Sequence, residues 1–451
     1  MAHSRKSKSN SLLDYLEESL LAHVKPNDHV IVALSGGIDS VVLLDTLVRY
    51  SKPMKFKLSA VHVNHGISEN AANWSDFCSH LCSTHNIPIS ITRLNIKRSP
   101  GQSLEAIARD ERYQVFNHLT ANYVALAQHK DDQAETIFLQ LLRGSGVKGL
   151  SAMPVIRKQA SVSAPQILRP LLQVSRREIE NYASQNQLSW IEDESNENTR
   201  FNRNFLRHEI FPQLEKRYPS YKTTFLRTSR HLAEASGLLD ELALLDIKNC
   251  SEAKKIQINR LAMLSVPRAK NLLRFTFSQH GIKLPSTAKL ENILHQLLSS
   301  SSDTKIQISL DNLEIRCYKG FINIIPKKIV SHDKLLYTWQ GEKRLVLNSL
   351  NGSIYFEQTK DAGINLQKLT QHPVTIRLRL GGEHFRPHSK RPRRSLKNML
   401  QEAAIPPWER STLPLLFSGD QLVWVPCIGI DCEFQIKPGK LGLNPTWQPN
   451  K

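Results

Sequence analysis

The chain has 451 residues, 40% of them hydrophobic, and its 60 lysines and arginines outnumber 41 aspartates and glutamates to leave a formal charge of +19. That length exceeds what one hydrophobic core supports and implies two to four domains. That charge points to a polyanionic partner, with nucleic acid ahead of a membrane surface because no basic amphipathic helix with an aromatic face stands out.

Six cysteines (Cys78, Cys82, Cys250, Cys317, Cys427 and Cys432) contain no Cys-x-x-Cys pair, which argues against a zinc ribbon, a redox dithiol or an iron–sulfur site. No apolar run has the length of a membrane span, and Met1–Asn10 lacks the apolar segment of a signal peptide. The expected location is therefore the reducing cytoplasm, with no membrane partner. Residues 1–10, rich in Ser and Lys, read as a flexible tail.

An amphipathic helix is expected from Leu12 to Val24, and His29–Leu34 reads as a buried strand. Ser35-Gly36-Gly37-Ile38-Asp39-Ser40 follows, and Val41, Leu44, Leu47 and Val48 mark the helix after it. Two glycines allow a sharp turn and close approach of an anion. The unpaired N–H groups of the next helix favour a phosphate. No Gly-Lys-Ser/Thr follows, so the loop is not a Walker loop and suits a pyrophosphate held by N–H groups and by Ser35 and Ser40, with Asp39 available for magnesium. The string resembles the PP-loop of the ATP pyrophosphatase superfamily, which implies cleavage of ATP to AMP and pyrophosphate while a substrate is adenylated.

Strands are expected at Phe56–Asn64, Ile87–Leu94 and Tyr123–Ala127, and helices at Asn73–His85, Leu104–Leu119 and Asp132–Leu142. This alternation gives an α/β domain with a doubly wound parallel sheet and ligands at the carboxyl ends of its strands. His129-Lys130-Asp131-Asp132-Gln133-Ala134-Glu135-Thr136 again links a strand to a helix. Asp131 is expected to cap that helix, and Asp132 and Glu135 share a face near its start. Two carboxylates there suit magnesium or a substrate ammonium, and His129 suits a phosphate contact or a proton transfer.

These residues, with Val63-Asn64-His65-Gly66-Ile67, Leu142-Arg143-Gly144-Ser145-Gly146, Leu168-Arg169-Pro170-Leu171-Leu172, Trp190-Ile191-Glu192-Asp193 and Phe201-Asn202-Arg203-Asn204, resemble the tRNA(Ile)-lysidine synthases. That family often carries an arginine where Ser68 stands and a second histidine where Gln128 stands. Helices are expected at Ser175–Gln187 and Arg200–Leu214, the second placing Arg203 and Arg207 on one face where phosphates could lie.

A long helix from Phe225 to Ile247 and helices at 258–264, 266–280 and 286–298 form the expected middle domain. Ser299–Ser302 reads as a break, and strands follow at 305–309, 313–318 and 321–325. Between Val374 and Leu400, Arg377, Arg379, Arg386, Lys390, Arg391, Arg393, Arg394 and Lys397 face only Glu383 in the sequence, a footprint for phosphodiesters. Arg379-Leu380-Gly381-Gly382-Glu383 and Pro406-Pro407-Trp408-Glu409-Arg410 resemble the C-terminal domain of the same synthases. Trp408 reads as a packing anchor.

The expected organisation is a tail at 1–10, a PP-loop (adenine nucleotide alpha-hydrolase-like) domain at 11–219, a helical middle domain at 220–300, a β-rich connection at 301–370 and a basic tRNA-binding domain at 371–451. The resemblance implies an ATP- and magnesium-dependent ligase that adenylates the C2 oxygen of cytidine 34 in the CAU anticodon of tRNA(Ile) and joins L-lysine to it. Ser35, Gly36, Gly37, Ile38, Asp39 and Ser40 would bind ATP, with Asp39 and Asp132 as metal ligands. Asp39, Arg109, Arg112, His129, Asp132 and Glu135 would be catalytic, Arg109 and Arg112 lying near the cytidine. Arg203, Arg386, Arg391, Arg393, Arg394 and Lys397 would bind tRNA. The oligomeric state stays open, a homodimer included. The alternatives are a PP-loop tRNA thiolase, an amidotransferase synthetase, a sulfonucleotide reductase and a non-catalytic RNA-binding protein; the first three want cysteines this sequence does not place, and the last leaves Asp39, Asp132 and Glu135 without purpose.

Overall fold

The computed structural model describes residues 11–66, 68, 70–96, 104–159, 164–192, 194–252, 255–282, 284–299, 306–311, 313–327 and 335–449. The expected tail at 1–10, most of the break after Ser299, Ile67 and Asp193 lie outside them. The chain forms two compact units, residues 1–251 with 262–290 and residues 252–261 with 291–451. No helix among the described residues is long and apolar enough to cross a membrane.

The first unit is built as its alternating pattern requires. Helix α1 (Leu12–His23) starts at a capping box between Ser11 and Asp14 and buries Leu12, Leu16 and Leu20. Strand β1 (His29–Ala33) buries Val30, Ile31 and Val32 on both faces, as a central parallel strand should. There follow α2 (Ile38–Ser51), β2 (Lys57–Asn64), α3 (Ala71–Thr84), β3 (Ile89–Arg93), α4 (Leu104–Asn117), β4 (Tyr123–Ala125), α5 (Lys130–Leu142), α6 (Val147–Leu150), β5 (Ile156–Arg157), β6 (Gln166–Leu168) and α7 (Arg176–Gln185).

The sheet order is β3-β2-β1-β4-β6-β5, all parallel except the β5–β6 pair. The chain therefore winds outward from β1 in one direction and from β4 in the other. The loops after β1 and β4 open at the point where the winding reverses, which is where doubly wound sheets bind ligands. The two- and three-residue strands β5 and β6 escape the sequence reading because so few residues show no period.

The helix expected at Arg200–Leu214 is three pieces: α8 (Asn202–Phe205), a π-helical turn (Leu206–Ile210) and α9 (Phe211–Arg217). Pro212 in the first turn of α9 lacks an amide hydrogen, so the regular bonding pattern cannot run through unbroken. Next comes α10 (Tyr221–Cys250), longer at both ends than the leucine stripe indicates. Its start is fixed by aromatic packing, Phe211 standing edge-on to Phe138 at 5.9 Å and 5.3 Å from Tyr221, whose ring meets Phe225 at 5.7 Å.

The helices Ile258–Ala262, Val266–Gln279 and Thr287–Ser299 agree with the sequence to within two residues. In the second unit Gln307–Leu310, Leu313–Tyr318 and Phe321–Pro326 form an antiparallel meander, as expected. A further antiparallel sheet orders Leu336–Thr338, Val374–Arg377, Leu415–Ser418, Gln421–Val425 and Gly429–Ile430, and Gly352–Lys360 pairs along its length with Leu441–Pro449. Trp339, Phe356, Ile376, Trp424 and Phe434 form a common core there.

Phe211 is 5% exposed, so Phe211→Ala should lower the stability of the first unit by about 3–5 kcal/mol. Urea unfolding followed by the tryptophans of that unit checks it. A loss below about 1 kcal/mol would mean the aromatic cluster does not hold α10 in place.

Candidate active site

The phosphate loop is held in shape from within. Gly36 sits at φ +89°, a backbone angle that favours glycine, and a Cβ there would come within 2.9 Å of Ile191 Cδ1, whose end would have to shift. The Ile191 amide donates to the Gly36 carbonyl at 2.9 Å, which lays the 188–192 segment against the back of the loop. Ser40 Oγ accepts from the amides of Ser35 at 3.1 Å and Gly36 at 3.2 Å and donates to the Gly37 carbonyl at 2.9 Å. Ser40 therefore braces the loop. Gly37 is the N-cap of α2 and gives it no side-chain cap, so the first amides of α2 keep their capacity for an anion.

A cleft of about 430 Å³ opens over this loop, lined among others by Ser35, Gly37, Asp39, His65, Arg112 and Ile191. Burial, then Arg112 and His62, push the His65 imidazole down to about 4, so its ring is neutral there. A larger cleft of about 1160 Å³ in the second unit, floored by Trp339 and Phe356, has no phosphate loop beside it. The chemistry belongs to the smaller one.

The loop after β4 supplies the second half of the site. The N-cap of α5 is His129, a correction to the expectation that Asp131 caps it. Asp132 stands at the third helical position and accepts from the His129 amide at 3.0 Å, the carboxylate half of a capping box. His129 is 4% exposed, and its Nε2 lies 3.6 Å from Asp39 Oδ1 and 3.6 Å from Asp132 Oδ2, with Nδ1 3.7 Å from Asp131 Oδ2. A neutral ring would accept at Nδ1 from the Asp131 amide, 3.3 Å away. Three carboxylates favour the charged ring instead. Burial opposes that charge, but Asp132, Asp131 and Asp39 outweigh it and raise His129 to about 9.

The carboxylates are themselves paired. Arg176, at the start of α7, places Nη1 2.7 Å from both Asp39 oxygens, and its amide donates to Asp131 at 2.9 Å. Lys222, in the first turn of α10, reaches Asp131 at 2.6 Å. Arg207, on the π turn, bonds Asp132 at 3.0 Å and is bound to Glu135 through Nε. Burial raises the Asp131 carboxyl, yet His129, Lys222 and the Arg176 amide together hold it well below the usual range. Glu135 is fully buried, and that burial keeps its carboxyl above the ordinary value even with Arg207 beside it. Four acids thus face four bases.

The structure therefore brings Asp39, His129, Asp132 and Glu135 into one cluster and places Arg112 in the cleft. Arg109 lies over the Tyr113 ring, 5.3 Å from its centroid. Arg203 acts on Glu135 only through space. Arg207, read from its spacing as a phosphate ligand, is paired with Glu135 and Asp132 because the π turn changes the registry of the expected helix. Sequence reasoning missed Arg176 and Lys222; neither carries a motif, and each reaches the site only through the packing of a later helix.

The basic stretch of the second unit is also altered by folding. Arg386 and Arg393 meet Glu433 at 3.1 Å, Arg377 meets Asp420 at 3.4 Å, Arg379 meets Glu383 at 3.1 Å, and Arg394 pairs with Glu402. Acids distant in sequence therefore oppose cations that Glu383 alone seemed to face. Lys390, Arg391 and Lys397 form no salt bridge with a described carboxylate. Trp408 packs edge-on to Tyr318 at 6.2 Å beneath Arg316. Cys78 and Cys82 are pushed up by burial to about 12 and about 11, which leaves them poor nucleophiles.

The raised His129 fixes the sign of a pH effect. Its folded value of about 9 exceeds the unfolded value of about 6.5, so its contribution is full below about pH 6.5 and lost as pH rises through 9. Between those limits the parent chain should lose more melting temperature than His129→Gln. Parallel curves for the two chains would exclude an imidazolium.

Comparison with known proteins identifies the family. The PP-loop domain family model matches residues 6–214, the TilS substrate binding domain residues 257–322, and the TilS substrate C-terminal domain residues 374–447. The tRNA(Ile)-lysidine synthase of Nitrosomonas europaea is 50% identical over 451 residues, covering 100% of this chain and 98% of that one. Those of Coxiella burnetii and Aromatoleum aromaticum are each 37% identical, covering 94% and 95% of this chain and 94% and 99% of theirs. The chain belongs to the tRNA(Ile)-lysidine synthase family.

Proposed function

We propose that the chain is an ATP-dependent ligase that converts cytidine 34 in the CAU anticodon of tRNA(Ile) to lysidine. One observation carries the reading. A single imidazolium nitrogen stands between Asp39, at the phosphate loop, and Asp132, beside the buried Glu135, so a phosphate cradle and an amine-binding pair of carboxylates share one charge cluster.

The C2 carbonyl of cytosine is a poor electrophile. Adenylation turns its oxygen into a leaving group, and pyrophosphate departs into the loop amides at the start of α2. The His129 imidazolium donates to phosphate oxygens, where negative charge develops. Asp132 and Glu135 receive the ammonium of free L-lysine. The raised Glu135 carboxylate is suited to take the proton the amine must lose before it attacks, and AMP then leaves.

The donor set fits magnesium. Asp39 and Asp132 present hard oxygen ligands, and magnesium ordinarily takes one or two carboxylates together with substrate phosphates. No described group of three protein ligands is needed for that arrangement, and none is present. When bound, the ion would offset charge on the departing pyrophosphate. Arg109 and Arg112 would position the cytidine. Arg203, Arg386, Arg391, Arg393, Arg394 and Lys397 would contact tRNA phosphates, Arg391 and Lys397 without giving up a carboxylate. The protein would act in the cytoplasm, with the PP-loop domain at 11–219, helices to 300, a β-rich connection to 370 and a tRNA-binding domain beyond.

Mass analysis of tRNA nucleosides after incubation with ATP, magnesium and a mixture of amino acids tests this. One cytidine should gain a lysine with loss of water, and Asp39→Ala should abolish both that product and pyrophosphate release while tRNA binding persists. A sulfur-containing nucleoside, or unmodified cytidine with no pyrophosphate released, would refute the assignment.

A further inference from the structure

A second cluster of charge lies outside the phosphate cleft, and of its members the chemistry above uses only Arg109. Tyr113 on α4 is ringed by guanidiniums. Arg157 on β5 lies 4.6 Å from its centroid, Arg109 lies 5.3 Å from it, and Arg169, just after β6, approaches the phenol. Arg169 is 2% exposed; it donates to Gln128 through Nε and to the Pro154 carbonyl at 3.0 Å. Arg157 donates to Gln159 at 3.3 Å. All these partners are neutral.

Arg109, Arg157 and Arg169 form no salt bridge with a described carboxylate, although the neighbouring acidic cluster pairs every one of its cations. Asp110 and Glu111 on the same helix point to solvent. Burial pushes the phenol of Tyr113 up, and Arg109, Arg169, Arg157 and Arg112 more than reverse that, leaving it below its ordinary value.

Buried or half-buried cations with no counter-ion among the described residues cost free energy through desolvation and mutual repulsion. An anion arriving from outside relieves both terms. Planar guanidiniums suit a phosphate, which takes two parallel hydrogen bonds from one fork. Neither Arg109, Arg157, Arg169 nor Tyr113 lines the cleft over the phosphate loop, whereas Arg112, one helical turn from Arg109, does. The cluster therefore sits beside the nucleotide site and does not form part of its wall.

We propose that Arg109, Arg157 and Arg169, arranged around Tyr113, form a subsite for one backbone phosphate of the RNA substrate, next to the reacting base. Arg157 and Arg109 face the phosphate, and Arg169 is a positioning residue held by Gln128 and Pro154. This rests on tRNA being the substrate. The subsite orients the strand so that Arg112 meets the base at the cleft.

The test uses the full chain, a tRNA(Ile) transcript and ATP. Arg157→Gln should weaken tRNA binding roughly tenfold and lower the salt slope by about 1, while ATP affinity is unchanged. Arg157→Lys should restore the slope, and melting curves confirm that both variants fold. Anticodon stem-loops carrying one methylphosphonate at a time should reveal a position that costs the parent chain affinity and costs Arg157→Gln nothing further. Parental affinity and slope in Arg157→Gln would overturn the subsite alone, as would a loss of ATP affinity with tRNA binding intact, which would assign the phosphate to the nucleotide. A parent chain that binds no tRNA would overturn the functional reading together with the subsite.

Discussion

Charge on the ring of His129 is the constraint from which the first unit follows. The ring is buried, which disfavours an imidazolium, yet Asp39, Asp131 and Asp132 surround it, and three half-buried carboxylates left unopposed side by side would cost far more. Each acid needs its own cation, and each cation comes from a different element: Arg176 from α7, Arg207 from the π turn, Lys222 from α10. The starts of α2 and α5 are thereby fixed at the reversal point of the sheet by elements that come later in the chain. Ion pairs taken out of water contribute little net stability, so the cluster is poorly explained as scaffold, in keeping with the catalytic role proposed for it.

Arg176 pairs with Asp39, and Arg207 with Asp132 and Glu135, the carboxylates that the proposed chemistry assigns to a metal ion and to a substrate ammonium. On that proposal a bound metal ion or ammonium would take the place of a cation already present, so no carboxylate would be left bare, which would keep the desolvation cost of binding low. The π turn matters here because its wider winding sets the direction of Arg207, and because Phe211 immediately after it anchors the turn to Phe138 and Tyr221. Aromatic packing outside the cleft thus decides where a charge inside it points.

The second unit shows the opposite use of the same residues. Its paired arginines are half-buried or exposed, and they meet Glu402, Asp420, Asp431 and Glu433. Pairs of that kind are weak in water and screened by salt. They hold side chains in place without closing them to phosphates, so the stretch presents an ordered face whose net charge is smaller than its arginine content implies. The cations around Tyr113 are fewer, and none of Arg109, Arg157 and Arg169 forms a salt bridge with a described carboxylate.

Local patterns carried much of this in the sequence. The phosphate loop, the alternation of strands and helices, and the pairing of Asp132 with Glu135 on one face follow from spacings of a few residues, where the backbone itself decides which side chains are neighbours. The helices near 258–299 and the meander at 307–326 were legible for the same reason. Tertiary structure alone decided that His129 stands at the N-cap position of α5 and is charged, that Arg176 and Lys222 complete the cluster, that Arg207 turns to Glu135, and that distant acids meet the basic stretch. Those outcomes depend on which surfaces come together once the core closes. A charge feels every neighbour within a few ångströms whatever its place in the chain, and no short window of sequence contains that information.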